Sequence, residues 1–432
     1  ISIELRADRA LCHIEVEDIP AFGYRTYHLT REETFAYEPG SLAPEANVLE
    51  NEHLRAVFNC DGTLDLSHKA AKHTYRGLHY LEDTGETGHS WIHMTPEVNH
   101  TIYSHGFPCS IALEEAGPLL ARIRSEYRLQ IPLSVEDEPG IDFREGDLNH
   151  TRRTRECREM IVTSRFTLRA GARRLDVVTT FDNQCKHHRL RVVFPTRLNS
   201  DRTDSEATFD VISRDIQVKK GNAYYGRPNP QYPMHRFVDI TDGKKGLAIL
   251  NDSGLHEYEA MDTAERPIAI TLIRAFTFRN SPVFGRWETY PDMELAQCIG
   301  KHECSYAIYA HPGDWTQGVY REAEDLNLPL EPAQAGPHPG KLPKAMSFLE
   351  IEGEAIQLTA FKRAEDRKKT YIVRLFNPSS RAAAGVLKTF KTIKHAWRTN
   401  LNEEREEALT PKGNTLSLKL PRKKIITIEF EI

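Results

Sequence analysis

Apolar residues recur at every second position through most of the chain. Residues 54–58, 122–129, 161–168, 175–181 and 190–194 each show this alternation, which turns one face of a strand to a core and the other to water. Asp61-Gly62, Ala170-Gly171 and Asp242-Gly243 lie between such runs and supply turn chemistry, glycine being free to take positive φ. The pattern predicts antiparallel sheet made of half-buried strands. Helical spacing is scarce. The one predicted helix starts at Asp314 as N-cap and sets Trp315, Val319, Ala323 and Leu326 on a single stripe.

Punctuation divides the chain. Pro329, Pro332, Pro337, Pro339 and Pro343, with Gly336 and Gly340, fall within residues 328–343; each proline fixes φ and removes a donor that a sheet needs. Residues 331–344 therefore read as a linker, with a smaller β domain over 345–432. The 285 or so residues before it exceed the roughly 100 of an immunoglobulin-like sandwich, so residues 46–330 predict a large two-sheet sandwich. Residues 2–6 and 12–17 also alternate, and residues 1–45 read as a small, incomplete β segment entered at its first strand. The fold class is mainly β.

Charge and composition narrow the function. The 57 basic and 62 acidic residues leave a formal charge of −5, giving no global field toward nucleic acid or anionic lipid. No apolar run approaches the roughly 20 residues of a membrane span, so neither nucleic acid nor membrane is expected as a partner. The seven cysteines are odd in number and contain no C-x-x-C pair, which fits reduced thiols and a cytoplasmic location.

Motifs of common enzyme classes are missing: there is no G-x-S-x-G elbow, no phosphate-binding G-x-x-x-x-G-K-[ST] loop and no G-x-G-x-x-G. Among 19 histidines no H-x-D, H-x-H or H-E-x-x-H occurs, so no metal site in this chain is nominated. Arg152, Arg153, Arg155 and Arg158, interrupted by Glu156, read as a solvated loop with mutual salt bridges. The segment from Glu82 to His93 mixes carboxylates, two glycines and Trp91, the mixture that carbohydrate sites use; an ordinary glycine turn with a packed Trp91 is the competing reading.

Several motifs in one order complete the picture. Residues 18–27 (DIPAFGYRTY), Asp61-Gly62-Thr63-Leu64, 77–85 (GLHYLEDTG), 188–196 (HRLRVVFPT), 237–243 (FVDITDG), Leu272-Ile273-Arg274-Ala275 and 311–315 (HPGDW) together resemble the β-rich C-terminal half of bacterial α-mannosidases of glycoside hydrolase family 38. The resemblance spans nearly the whole chain and implies a galactose-mutarotase-like supersandwich. It also implies retaining hydrolysis of terminal α-mannosides through a covalent glycosyl-enzyme. The family's zinc and its aspartate nucleophile belong to an N-terminal barrel whose motifs have no counterpart here, so no catalytic residue and no metal ligand is carried over. The chain alone is expected to be inactive. Zinc is expected in the full-length enzyme, and the implied partners are an α-mannoside, the barrel domain and, since the family is often oligomeric, further copies of the chain.

What the resemblance does carry over is supportive. A loop at residues 88–91 stands where the family places a tyrosine near the sugar; here it reads Gly88-His89-Ser90-Trp91. An indole can stack on a sugar and donate one N–H but lacks the phenol's acceptor lone pairs. The nominated substrate-binding residues are His89, Trp91, His235 and Arg274, with a loop-anchoring hydrogen bond as the other reading of His235 and a structural ion pair as that of Arg274. The rival functions are a stand-alone carbohydrate-binding or mutarotase-like sandwich without hydrolase activity, and a polysaccharide lyase, for which no base beside a neutralising arginine is nominated.

Overall fold

A computed structural model describes residues 13–28, 40–88, 90, 92–137, 151–217, 230–252, 254–277, 282–283, 286–287, 294–336, 338–353 and 355–432. Their described parts form two compact units, one of residues 39–207 and 212–330, the other of residues 331–432 with 1–38 and 208–211. No helix among the described residues is long and apolar enough to cross a membrane.

The larger unit is built on a sandwich of two large antiparallel sheets, with a further four-stranded sheet of Val48–Glu50, Leu54–Phe58, Leu64–His68 and His73–Leu78. The centre of its nine-stranded sheet runs Phe237–Thr241, Lys245–Asn251, Gly300–Pro312, Arg174–Asn183, Cys157–Arg169 and Leu120–Pro132. The six-stranded sheet runs Gln231–Pro233, Glu257–Ala260, Pro267–Ala275, His188–Pro195, Tyr80–Gly85 and Ile102–Tyr103. Alternate residues meet between them: Ile123, Phe166, Val177, Ile249 and Ile308 from one sheet, Leu190, Val192, Phe194, Ile268 and Ile270 from the other, all buried. Alternation thus places the strands, and the periodic segments at 54–58, 122–129, 161–168, 175–181 and 190–194 all lie in strands.

A polar thread crosses this core. His79, at φ 67, sets Nε2 2.7 Å from the Tyr306 hydroxyl, which lies 2.6 Å from Thr179 Oγ1; burial pulls the His79 imidazole down to about 3, so it is neutral there. At the Asp61-Gly62 turn glycine is obligatory. Its φ is 86, and a Cβ would lie 2.3 Å from the Tyr127 ring.

Four sequence expectations are corrected. Residues 13–17 form no strand, and Ile14 is 63% exposed, because alternation without a facing sheet has nothing to bury its apolar side; residues 2–6 and Cys12 lie outside the described residues. The helix begins later, at Val319–Asn327. Asp314 spends its carboxylate on the nearby Thr316 N–H and hydroxyl, forming a local turn that competes with a helical start, and Gly318 at φ 103 stands as N-cap. His188–Pro195 is buried on both faces, not half-buried. Arg153 is a buried ion-pair partner, not a solvated loop residue.

The smaller unit has a three-stranded sheet (Leu349–Glu352, Ala383–Thr389, Thr415–Leu420) and a five-stranded sheet (Gln357–Arg363, Thr370–Phe376, Ile425–Glu431, His395–Thr399, Arg405–Leu409), with Leu349, Val373, Leu375, Leu387, Ile428 and Phe430 at its core. Gly23–Arg25 pairs with Ala345–Ser347, so the N-terminal segment and the residues after the proline-rich stretch share a small sheet.

Candidate functional site

The face of the six-stranded sheet turned away from the core is where chemistry collects. Leu190 and Val192 point inward, so Arg189 and Arg191 point outward. By the same alternation Glu82 and Thr84, and Glu257 and Glu259, share that outer face, and a bulge at Leu272, opposite the Leu190–Arg191 step, brings Thr271 and Arg274 to it as well. Register aligns three of them: Arg189 pairs with Thr84 on one side and with Arg274 on the other, placing Thr84, Arg189 and Arg274 in one row across three strands.

Most of these charges neutralise one another at close range. Arg191 reaches Glu82 Oε1 through Nη2 at 2.5 Å and Nε at 3.0 Å, and Glu259 Oε2 through Nη1 at 2.5 Å. Glu257 accepts from the Thr271 hydroxyl at 2.7 Å and lies 3.8 Å from Arg189 Nη1 and 3.9 Å from Arg274 Nη1. Burial of such groups is tolerated only with partners this near.

Glu86 closes the end of the row. Its Oε1 accepts the Gly88 N–H at 2.6 Å and the Met94 N–H at 3.3 Å; its Oε2 accepts His93 Nδ1–H at 2.5 Å and Arg274 Nε–H at 2.7 Å. Arg274 also donates to the Ile92 carbonyl at 2.9 Å, and the Thr87 N–H to the Met94 carbonyl at 2.8 Å. One carboxylate and one guanidinium therefore tie both ends of the loop over residues 87–94. Burial pushes the Glu86 carboxyl up, but His93 and Arg274 together outweigh it and hold it at about 2, so it is ionised at neutral pH. Burial lowers His93 against the pull of Glu86. Gly88 admits no other residue, since a Cβ would lie 2.1 Å from the Ile92 carbonyl oxygen.

A second network faces inward. Asp83 accepts from His188 Nδ1 at 2.5 Å and from Arg153 Nη2, and Arg153 also donates to the His100 carbonyl at 3.0 Å. His188 Nε2 lies 3.0 Å from Asn183 Oδ1. Burial raises the Asp83 carboxyl, and Arg153 with His188 overcomes it, leaving the group below its ordinary value.

Comparison with known proteins decides what this scaffold is. Residues 49–292 match the glycosyl hydrolases family 38 C-terminal domain, and residues 355–428 match the family 38 C-terminal beta sandwich domain. The chain belongs to glycoside hydrolase family 38. A Halalkalibacterium halodurans protein named for mannosylglycerate hydrolysis is 27% identical over 90% of this chain and 42% of its own length. Mouse alpha-mannosidase 2C1 is 28% identical over 57% of this chain and 21% of its own length. The crystal structure of an alpha-mannosidase from Enterococcus faecalis V583 superposes with a TM-score of 0.80 at 28% identity, covering 93% of this chain and 44% of that one. The chain thus spans less than half the length of these relatives.

In this family 38 chain Arg274 forms the ion pair the sequence allowed, with Glu86, and its side chain is 11% exposed. His89 and Trp91 lie outside the described residues, but their neighbours Gly88 and Ile92 are the ones that Glu86 and Arg274 grip. Among the described residues no contact brings His235 to this loop. Its backbone N–H donates to the Glu206 carbonyl and its carbonyl accepts from Asn251 Nδ2, while its exposed ring sits beside His256; the backbone, not the imidazole, does the anchoring. Among the described residues no group of three or more His, Cys, Asp or Glu could hold a metal ion. The described residues therefore offer no site of that kind for a zinc ion. Sequence reasoning missed Glu86, Arg189, Arg191 and Arg153. The signal available for the first three was charge at alternate positions opposite equally charged strands, as in Glu257-Tyr258-Glu259.

Proposed function

We propose that this chain is the β-rich portion of a retaining α-mannosidase acting on terminal α-mannosides, where it supports a zinc-bearing barrel formed by residues outside these 432 and presents its 87–94 loop to the sugar. The observation that carries the reading is the clamp of Glu86, His93 and Arg274: a buried carboxylate with four donors is a large investment in the position of one short loop, and that loop carries His89 and Trp91. Positioning of this kind is how a scaffold contributes to chemistry it does not itself perform. Trp91 would stack on a sugar face and offer its single N–H. Relatives named α-mannosidases and one named for mannosylglycerate hydrolysis have a mannosyl unit in common, which suits a site built for that unit.

Hydrolysis of 4-nitrophenyl α-mannoside, measured for this chain and for the native polypeptide purified from its source, tests the reading. The expected result is turnover by the native polypeptide, abolished by a zinc chelator and restored by zinc, with none by the 432-residue chain. Chelator-sensitive turnover by the chain alone would put the reacting groups here, and an inactive native polypeptide would favour a carbohydrate-binding protein.

A further inference from the structure

We propose that the outer face of the six-stranded sheet holds a subsite for a neutral, hydroxyl-bearing ring, centred on Arg189 with Thr84 and His93. The inference deepens the α-mannosidase reading and rests on it. Arg189 is 3% exposed, yet its Nε and Nη1 have no hydrogen-bond partner, nor do Thr84 Oγ1 and His93 Nε2 among the buried side-chain atoms. Buried polar atoms are ordinarily satisfied, and here unsatisfied groups gather on one face: Thr84 and Arg189 are cross-strand partners, and His93 is bound through Glu86 to Arg274, the other neighbour of Arg189.

Their hydrogen-bonding types select the ligand. Glu86 is a carboxylate that accepts from His93 Nδ1, so in the neutral ring that proton sits on Nδ1 and Nε2 is left as an acceptor. Arg189 can only donate, and the Thr84 hydroxyl does either. A site with donors, an acceptor and a dual group matches sugar hydroxyls, which both give and take hydrogen bonds. An anion offers nothing to His93 Nε2. The charge balance agrees: the face carries the carboxylates of Glu82, Glu86, Glu257 and Glu259 against the guanidiniums of Arg189, Arg191 and Arg274, leaving no surplus positive charge for a phosphate or carboxylate. Because these atoms are shielded in the free chain, a ring must part the side chains over them, which weakens the apparent affinity; binding in the millimolar range is expected.

Ligand-observed NMR titration of this chain with methyl α-mannoside, and with inorganic sulfate as the anionic probe, tests the subsite. Arg189→Met should weaken mannoside binding by about tenfold or more, and the near-isosteric Thr84→Val by a few-fold, while thermal unfolding of Arg189→Met stays unchanged or rises, since a buried guanidinium with unmade hydrogen bonds is replaced by an apolar side chain and Glu257 keeps Thr271 and Arg274. A purely structural role would instead lower the unfolding temperature. Absence of mannoside binding, equal binding by both variants, or binding of sulfate in its place would overturn the subsite. Those outcomes leave the α-mannosidase reading intact if the native polypeptide hydrolyses the mannoside, and that reading fails separately if it does not.

Discussion

Asp83→Ala lowers the unfolding free energy of this chain by about 3–5 kcal/mol at neutral pH, the cost of leaving a buried charge without its partner. The Arg153 side chain is 1% exposed and the His188 side chain is fully buried, and both aim at the Asp83 carboxylate, so its removal strands a guanidinium where water cannot replace the acceptor. The same network sets a pH dependence. A carboxyl whose value is depressed in the folded chain contributes stability above its unfolded value and loses it as pH falls through the folded one. Asp83 is depressed, and Glu86 is held at about 2 against an ordinary 4.5. Wild-type stability should therefore decline as pH drops from about 4.5 toward 2, and the gap between wild type and Asp83→Ala should narrow over that range. Urea unfolding at neutral and acidic pH measures both. A loss below about 1 kcal/mol at neutral pH, within the range of an exposed pair, would contradict the burial argument.

Glu86→Gln in the native-length enzyme should reduce kcat/KM on an α-mannoside by about 100-fold, the scale of an ångström-level misplacement of a positioning group. Glutamine keeps the shape of the side chain, but one of its two terminal atoms is now a donor. It meets either the Gly88 and Met94 N–H groups or the His93 and Arg274 donors, so one pair of loop ties is lost. Steady-state kinetics separate the roles: a change concentrated in kcat marks loss of transition-state positioning, and one confined to KM marks loss of uniform binding. Arg274→Lys should not rescue the position, because an ammonium cannot hold Glu86 and the Ile92 carbonyl in the same planar fork. Unaltered kinetics in Glu86→Gln would remove the loop from the account.

Strand placement was legible because alternation reports directly on a two-sided sheet, and residues 54–58 coincide with Leu54–Phe58. The outer face of the six-stranded sheet was not. Arg189 and Arg191 alternate with Leu190 and Val192 in the pattern of a half-buried strand, and alternation cannot tell water from a buried countercharge. The countercharges come from far along the chain: Arg191 and Glu82 are 109 residues apart, and His188 and Asp83 are 105 apart. Arg153 shows the same limit, since a run of arginines beside acidic residues looks solvated until the fold carries one of them to Asp83. Gly88 was readable as a glycine in a tight loop, but the carboxylate that makes the loop tight was indistinguishable from the other acidic residues of its segment. Arg274 was readable as half of an ion pair without its partner, which lies 188 residues away.

The most direct test of the account is the intact mass of the native polypeptide in its source cells, detected with an antibody raised against this chain. The expected mass exceeds 49.4 kDa by at least the size of a barrel domain, about 250 residues, in keeping with relatives of which this chain covers 42–44%. A native mass of 49.4 kDa would mean that no barrel is attached to it, and would contradict the assignment of this chain to one portion of a single-chain α-mannosidase.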